Sequence, residues 1–124
     1  MSNKVLNTEA KIFQNALDVF ILYGYHGTTI QRISVQAGVR QSVIHYYFRS
    51  KENLYVNVVK SLIDNILETN IKLISNKEVI EKYRWFLYTE LYNNQNLFET
   101  TLQKLYFNEW DDKLSELKKL LEIN

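Results

Sequence analysis

Residues 28–48 read Thr28-Thr29-Ile30-Gln31-Arg32-Ile33-Ser34-Val35-Gln36-Ala37-Gly38-Val39-Arg40-Gln41-Ser42-Val43-Ile44-His45-Tyr46-Tyr47-Phe48. Ile30, Ile33 and Ala37 recur at helical spacing, the Thr28-Thr29 pair can cap the orphan amides that begin such a segment, and Gly38 can end it. A second apolar set follows at Val39, Val43, Ile44 and Phe48. The periodicity therefore predicts two short helices joined by a tight turn at Gly38. On the second helix Arg40, Gln41, Ser42, His45 and Tyr46 are left on the side away from the apolar residues, which makes one of its faces rich in hydrogen-bonding groups.

The segments on either side are also helical in pattern. Upstream, Ile12, Phe13, Ala16, Leu17 and Phe20 predict a helix over about residues 8–23, stopped at Gly24. Downstream, Ser50 can cap a fourth helix, where Glu52 suits the positive end of the helix dipole and Leu54, Val58, Leu62 and Ile66 form an i, i+4 stripe. That helix is expected to run to about Ile74. Asn76 is the expected cap of a fifth helix through Tyr92, with Val79, Ile80, Tyr83, Leu87 and Leu91 as its apolar face. The run Asn93-Asn94-Gln95-Asn96 is the expected loop before a sixth helix from Leu97 to Trp110. Asp111 or Asp112 then caps a seventh carrying Leu114, Leu117, Leu120 and Leu121. With no Pro, three Gly and no alternating strand pattern, the expected fold class is all-α.

Composition bounds the function. A chain of 124 residues, 46% hydrophobic and 23% charged, supports one packed core and is short for two ordinary domains. The absence of Cys removes disulfides, thiolate nucleophiles and Cys-based zinc sites. No run of about 18 apolar residues is present, so no membrane association is expected, and with no basic-then-apolar leader the protein reads as cytoplasmic. The net charge of +1 conceals an asymmetry: residues 1–60 hold seven Lys/Arg against three acids, and the rest eight against eleven. A basic first half suits a polyanionic partner. An enzyme is not expected, because His26 and His45 are the only histidines and no Gly-x-Ser-x-Gly, P-loop or dinucleotide fingerprint occurs. No metal site or cofactor is expected either, since Asp111-Asp112 reads as a helix cap.

Two short helices around a Gly-containing turn, the second with a polar outer face, are the parts of a helix-turn-helix that reads double-stranded DNA. Val39, Val43, Ile44 and Phe48 can anchor the second helix. Arg40 and Gln41 lie at its N-terminal end, where Arg can grip guanine and Gln adenine through two hydrogen bonds each, with Ser42 and His45 as smaller or more ambiguous readers. Thr28, Thr29, Tyr46, Tyr47 and Lys51 stand where donors meet phosphates at helix ends and flanks. The rival reading is a helical protein-interaction module without DNA binding.

Residues 12–60 resemble the DNA-binding domain of the tetracycline-repressor (TetR) family of bacterial regulators. The resemblance is carried by Ala16-Leu17 and Phe20, Tyr23-Gly24-Tyr25, Thr28-Thr29-Ile30 and Ile33, Ala37-Gly38-Val39, and Tyr47-Phe48-Arg49-Ser50-Lys51-Glu52-Asn53-Leu54. It implies a three-helix DNA-binding domain over residues 1–50, followed by a helical ligand-binding and dimerisation domain over residues 51–124. It also implies a regulator, usually a repressor, released from its operator by a small-molecule inducer. Base contacts are implied at Arg40, Gln41, Ser42 and Tyr46, and phosphate contacts at Thr28, Thr29, Tyr47 and Lys51. Three departures stand out. Arg40 replaces the usual small Ser that opens the recognition helix. Ser42 and His45 replace the usual Gly and Tyr. The two long C-terminal helices through which the family dimerises have no counterpart here.

A homodimer is therefore expected of the complete protein and not of this 124-residue form. The chain reads as a fragment, a natural short form or one that self-associates by another surface, and the apolar pattern of Leu117, Leu120, Leu121 and Ile123, still running where the sequence stops, favours a fragment. The aromatics between Tyr83 and Trp110 suit either the wall of an inducer pocket or an ordinary core, and no ligand-contacting residue is singled out.

Overall fold

A computed structural model describes residues 2–68 and 77–122. Every regular element among those residues is helical, in accord with the all-α pattern: α1 (Ser2–Gly27), α2 (Ile30–Ala37), α3 (Gln41–Phe48), α4 (Lys51–Ile63) continued by a π-helical stretch Asp64–Glu68, α5 (Lys77–Asn93), α6 (Gln95–Tyr106), a 3-10 turn Phe107–Glu109 and α7 (Trp110–Glu122). No helix among the described residues is long and apolar enough to cross a membrane. The chain divides into two compact units, residues 1–58 and 59–124, with the division inside α4.

In the first unit, α1 begins earlier than its apolar pattern suggests, at Ser2, and its helical geometry breaks at Gly24 (φ 73°, ψ 179°), the residue expected to stop it. One further turn brings the chain to Thr28. The pattern assigns the cap of α2 to Thr28-Thr29, and the two residues divide the work. Thr29 is the N-cap, its hydroxyl accepting from the Arg32 amide at 3.0 Å. Thr28 is wholly buried, its hydroxyl donating to the Gly24 carbonyl at 2.7 Å.

The turn between α2 and α3 is a Schellman closure. Gly38 adopts a left-handed conformation (φ 71°, ψ 34°), its amide donates to the carbonyls of Ser34 and Val35, and the Val39 amide reaches the Ser34 carbonyl at 3.0 Å. Arg40 then occupies the N-cap of α3 in an extended conformation with no side-chain cap, as the loss of Ser at this position predicts. Ser50 caps α4, accepting from the Asn53 amide at 3.0 Å. The core of this unit takes Ile12, Ala16, Phe20, Ile33, Ile44, Leu54 and Tyr55. The Tyr55 ring meets Phe20 and Tyr25 edge-on at 5.5 and 4.9 Å. The stripe Leu54, Val58, Leu62 and Ile66 is buried along its whole length. The extension of this helix to Ile74 and the Asn76 cap lie outside the described residues.

In the second unit α5, α6 and α7 pack on one another around Phe86, Leu87, Leu91, Phe98, Leu102, Leu114 and Leu117. The four-residue loop expected at Asn93–Asn96 is a single residue. Asn94 leaves helical geometry (φ −127°, ψ 49°) while its amide ends α5 on the Glu90 carbonyl and its own carbonyl receives the Phe98 amide. Its side-chain amide also spans both oxygens of the buried Glu90 carboxylate, at 3.2 and 3.1 Å, which fixes the corner without a longer loop. The helix expected to run from Leu97 to Trp110 is interrupted at Phe107, an exposed residue at φ 51°. Asp111 and Asp112 consequently sit in the first turn of α7, where their charge complements the dipole, and Trp110 begins the helix. The aromatics of this unit differ in burial: Phe86 and Phe98 are core residues, Tyr83, Tyr106 and Trp110 are half-buried, and Trp85, Tyr88 and Tyr92 along α5 and Phe107 after α6 are exposed. The last residue of the apolar pattern, Ile123, lies outside the described residues.

The left-handed turn makes a direct prediction. A side chain at Gly38 would meet nothing within 4 Å, so its cost is conformational and not steric crowding. Gly38→Ala should lower stability by about 1–2 kcal/mol in urea unfolding, and Gly38→Asn by less, since Asn tolerates this region of backbone space.

Candidate nucleic-acid interface

The two helices that flank Gly38 bury one side and expose the other. Ile33 and Ala37 of α2 and Ile44 and Phe48 of α3 lie in the core, with Val39 and Val43 half-buried. This packing leaves Arg40, Gln41, Ser42, His45 and Tyr46 exposed together. At about 100° per residue, Gln41, Ser42, His45 and Tyr46 span an arc of about 140°, with Gln41 and His45 one turn apart on the same side. Four of the five expected base readers therefore share one open face of α3, and Arg40 is exposed just ahead of it, at the N-cap.

Tyr46 is 71% exposed and is braced edge-on by the Tyr47 ring at 5.0 Å. Tyr47 itself is half-buried. His45 turns its Nδ1 towards the Arg49 carbonyl at 3.1 Å. Arg49, which ends α3, has φ 73° and ψ −50°, and its amide donates back to the His45 carbonyl.

The expected phosphate set is brought together only in part. Thr29 is exposed at the start of α2. Thr28 departs from the expectation: it is 0% exposed and its hydroxyl is spent on the α1 backbone, so it has no surface to offer a phosphate. Lys51 opens α4 and crosses to the corner between α1 and α2, where its ammonium donates to the Thr28 carbonyl at 2.9 Å and lies 4.1 Å from the centre of the Tyr25 ring. Partial burial lowers its pKa from the ordinary lysine value. Burial, and then the nearby Glu52 charge, raise that of Tyr25. An ammonium has three donors, and the Thr28 carbonyl uses one of them.

The electrostatics of the surface are one-sided. Between Thr28 and Lys51 the chain holds Arg32, Arg40, Arg49 and Lys51 and no acid. Sequence reasoning passed over Arg32 and Arg49. Arg32 lies in the first turn of α2 with its guanidinium 4.1 Å over the Tyr23 ring, and Arg49 is exposed at the end of α3. The acid-free tract was the signal that could have found them. Such a surface can bind an anionic backbone through its cations and present mixed donors and acceptors to whatever lies above α3.

Similarity to known proteins runs through this same segment. Residues 12–58 match the profile of the bacterial regulatory proteins of the tetR family. The chain is 40% identical over 63 residues to the HTH-type transcriptional regulator RutR of Escherichia coli K12, a match covering 51% of this chain and 30% of that protein. It is 35% identical over 63 residues to IcaR of Staphylococcus aureus strain Newman, the HTH-type negative transcriptional regulator of a biofilm operon, covering 48% of this chain and 34% of that one. This chain thus matches about a third of the length of these relatives. Among solved structures, a mutant HlyIIR protein with an internal segment replaced by a linker superposes with a TM-score of 0.62 at 26% identity, over 92% of this chain and 70% of that one. The likeness to the bacterial regulatory proteins of the tetR family is thus carried by residues 12–58, the segment that holds α2, the Gly38 turn and α3.

Proposed function

We propose that this chain is the DNA-binding and adjoining helical part of a transcriptional regulator, with α3 in the major groove of double-stranded operator DNA. The observation that carries the reading is the single exposed face of Gln41, Ser42, His45 and Tyr46, with Arg40 exposed at the N-cap, on a helix anchored by Ile44 and Phe48 and lying within an acid-free basic tract. Arg40 and Gln41 are the principal base readers and Ser42 and Tyr46 lie beside them. Thr29, Tyr47 and Lys51 hold phosphates, and Thr28 acts through the turn it supports.

Repression is the favoured outcome of binding, supported by the name of the IcaR relative as a negative regulator. The helical region beyond α4 is the regulatory part, and a small-molecule inducer acting there releases the operator. The complete protein works in the cytoplasm as a homodimer, which would place two recognition helices about 34 Å apart and strengthen the weaker binding and base preference that a single α3 supports. A protein-interaction module without DNA binding is disfavoured, because it would have no use for donors gathered on the open face of α3.

Gel-shift titration against genomic fragments at about 50 and 200 mM salt tests the reading: binding should weaken steeply as salt rises. A salt-independent result, or no binding at either concentration, would remove DNA from the function. Gln41→Ala should leave thermal stability within about 0.5 kcal/mol and cost about 1–3 kcal/mol of discrimination at one base position. An unchanged preference in a randomised-operator selection would make Gln41 a solvated bystander. Lys51→Ala should weaken binding to all duplexes about equally, and urea unfolding should show a loss of about 1 kcal/mol as the Thr28 carbonyl loses its donor. A loss restricted to one operator would reverse that assignment.

A further inference from the structure

His45 occupies the position where the family usually has Tyr, and its surroundings define which hydrogen bond it can make. A carbonyl oxygen only accepts, so the 3.1 Å contact with the Arg49 carbonyl requires the hydrogen on Nδ1. A neutral imidazole carries one N–H, and Nε2 is then an acceptor with no hydrogen of its own.

One contact holds the ring, and a backbone bond closes the turn beneath it. Nδ1 donates to the Arg49 carbonyl while the Arg49 amide donates to the His45 carbonyl at 3.0 Å, and the unusual backbone of Arg49 (φ 73°, ψ −50°) turns its carbonyl back towards the ring. His45 is exposed and shares the face of Gln41 one turn earlier. The major groove offers donors only at two base atoms, the N6 amine of adenine and the N4 amine of cytosine, whereas guanine and thymine present acceptors there.

We propose that His45 is a specificity-determining residue of α3 whose Nε2 accepts a hydrogen bond from the exocyclic amine of adenine or cytosine. With the ring neutral, guanine and thymine are rejected at that position because two acceptors would face one another without a hydrogen between them. The assignment rests on the DNA-reading function proposed above and adds the chemical class of base that this side chain selects. A ring that merely closed the C-terminal end of α3 would affect stability and leave base preference alone.

The test is selection from a pool of randomised duplexes by the full chain and by His45→Ala, with thermal unfolding of both. The expected result is a wild-type preference for adenine or cytosine at one position, relaxed about tenfold in His45→Ala, with the other positions retained. His45→Gln carries the same readout if the alanine variant does not fold: its amide both donates and accepts, so the choice should narrow to adenine. Identical preference and stringency in wild type and His45→Ala would overturn the inference. So would a wild-type preference for guanine or thymine at the position that the variants alter, or equal use of adenine and cytosine by His45→Gln. Gln41→Ala serves as the control for function, because a motif that it alters and His45→Ala does not would overturn His45 while leaving DNA reading intact. Absence of any enriched duplex for the wild-type chain would overturn the DNA-reading function and this inference with it.

Discussion

The turn at Gly38 is the constraint on which the first unit depends. Its left-handed conformation lets the amides of Gly38 and Val39 close the carbonyl end of α2 and sends the chain into α3 within two residues. That exit direction puts Ile33 and Ala37 of one helix and Ile44 and Phe48 of the next into one core. Once those four are buried, the rotation of α3 about its axis is settled, and the side on which Gln41, Ser42, His45 and Tyr46 emerge follows from helix geometry. The polar face needs no contacts of its own to be aligned. It is aligned by the apolar residues beneath it.

A second set of interactions fixes where α2 begins. Thr28 donates to the Gly24 carbonyl from inside the corner, and Lys51 donates to the Thr28 carbonyl from α4. The Tyr25 ring under the Lys51 ammonium is in turn packed on Tyr55. Residues distant in sequence thus hold one short corner, and Thr29 can begin α2 as an exposed cap because its neighbour is buried. The aromatic Tyr23-Gly24-Tyr25 stretch has a mechanical purpose here: Gly24 supplies the bend, and Tyr25 supplies the platform for the cation.

In the second unit a similar economy appears at Asn94, where one residue ends α5 and begins α6 and its side chain engages a buried carboxylate. A tract of Asn and Gln reads as a loop because such residues favour turns, yet only one residue leaves the helix. Phe107 shows the opposite case. No Gly or Asn occupies its left-handed position, so nothing in the local residue types marks the break.

The sequence by itself determined the helical class, the two short helices about Gly38, the Ser50 cap, the stop at Gly24 and the polar face of α3. Each of these rests on periodicity, or on a backbone conformation that few residue types adopt, and both are local properties of the chain. Tertiary structure alone decided that Thr28 is internal while Thr29 is the cap, since adjacent residues of the same type have identical propensities and differ only in what packs over them. It also decided that the Lys51 ammonium reaches the Thr28 carbonyl, a pairing across 23 residues that no local pattern encodes. The same holds for the hydrogen on His45 Nδ1, because the tautomer of an imidazole is set by the partner that the fold places beside it.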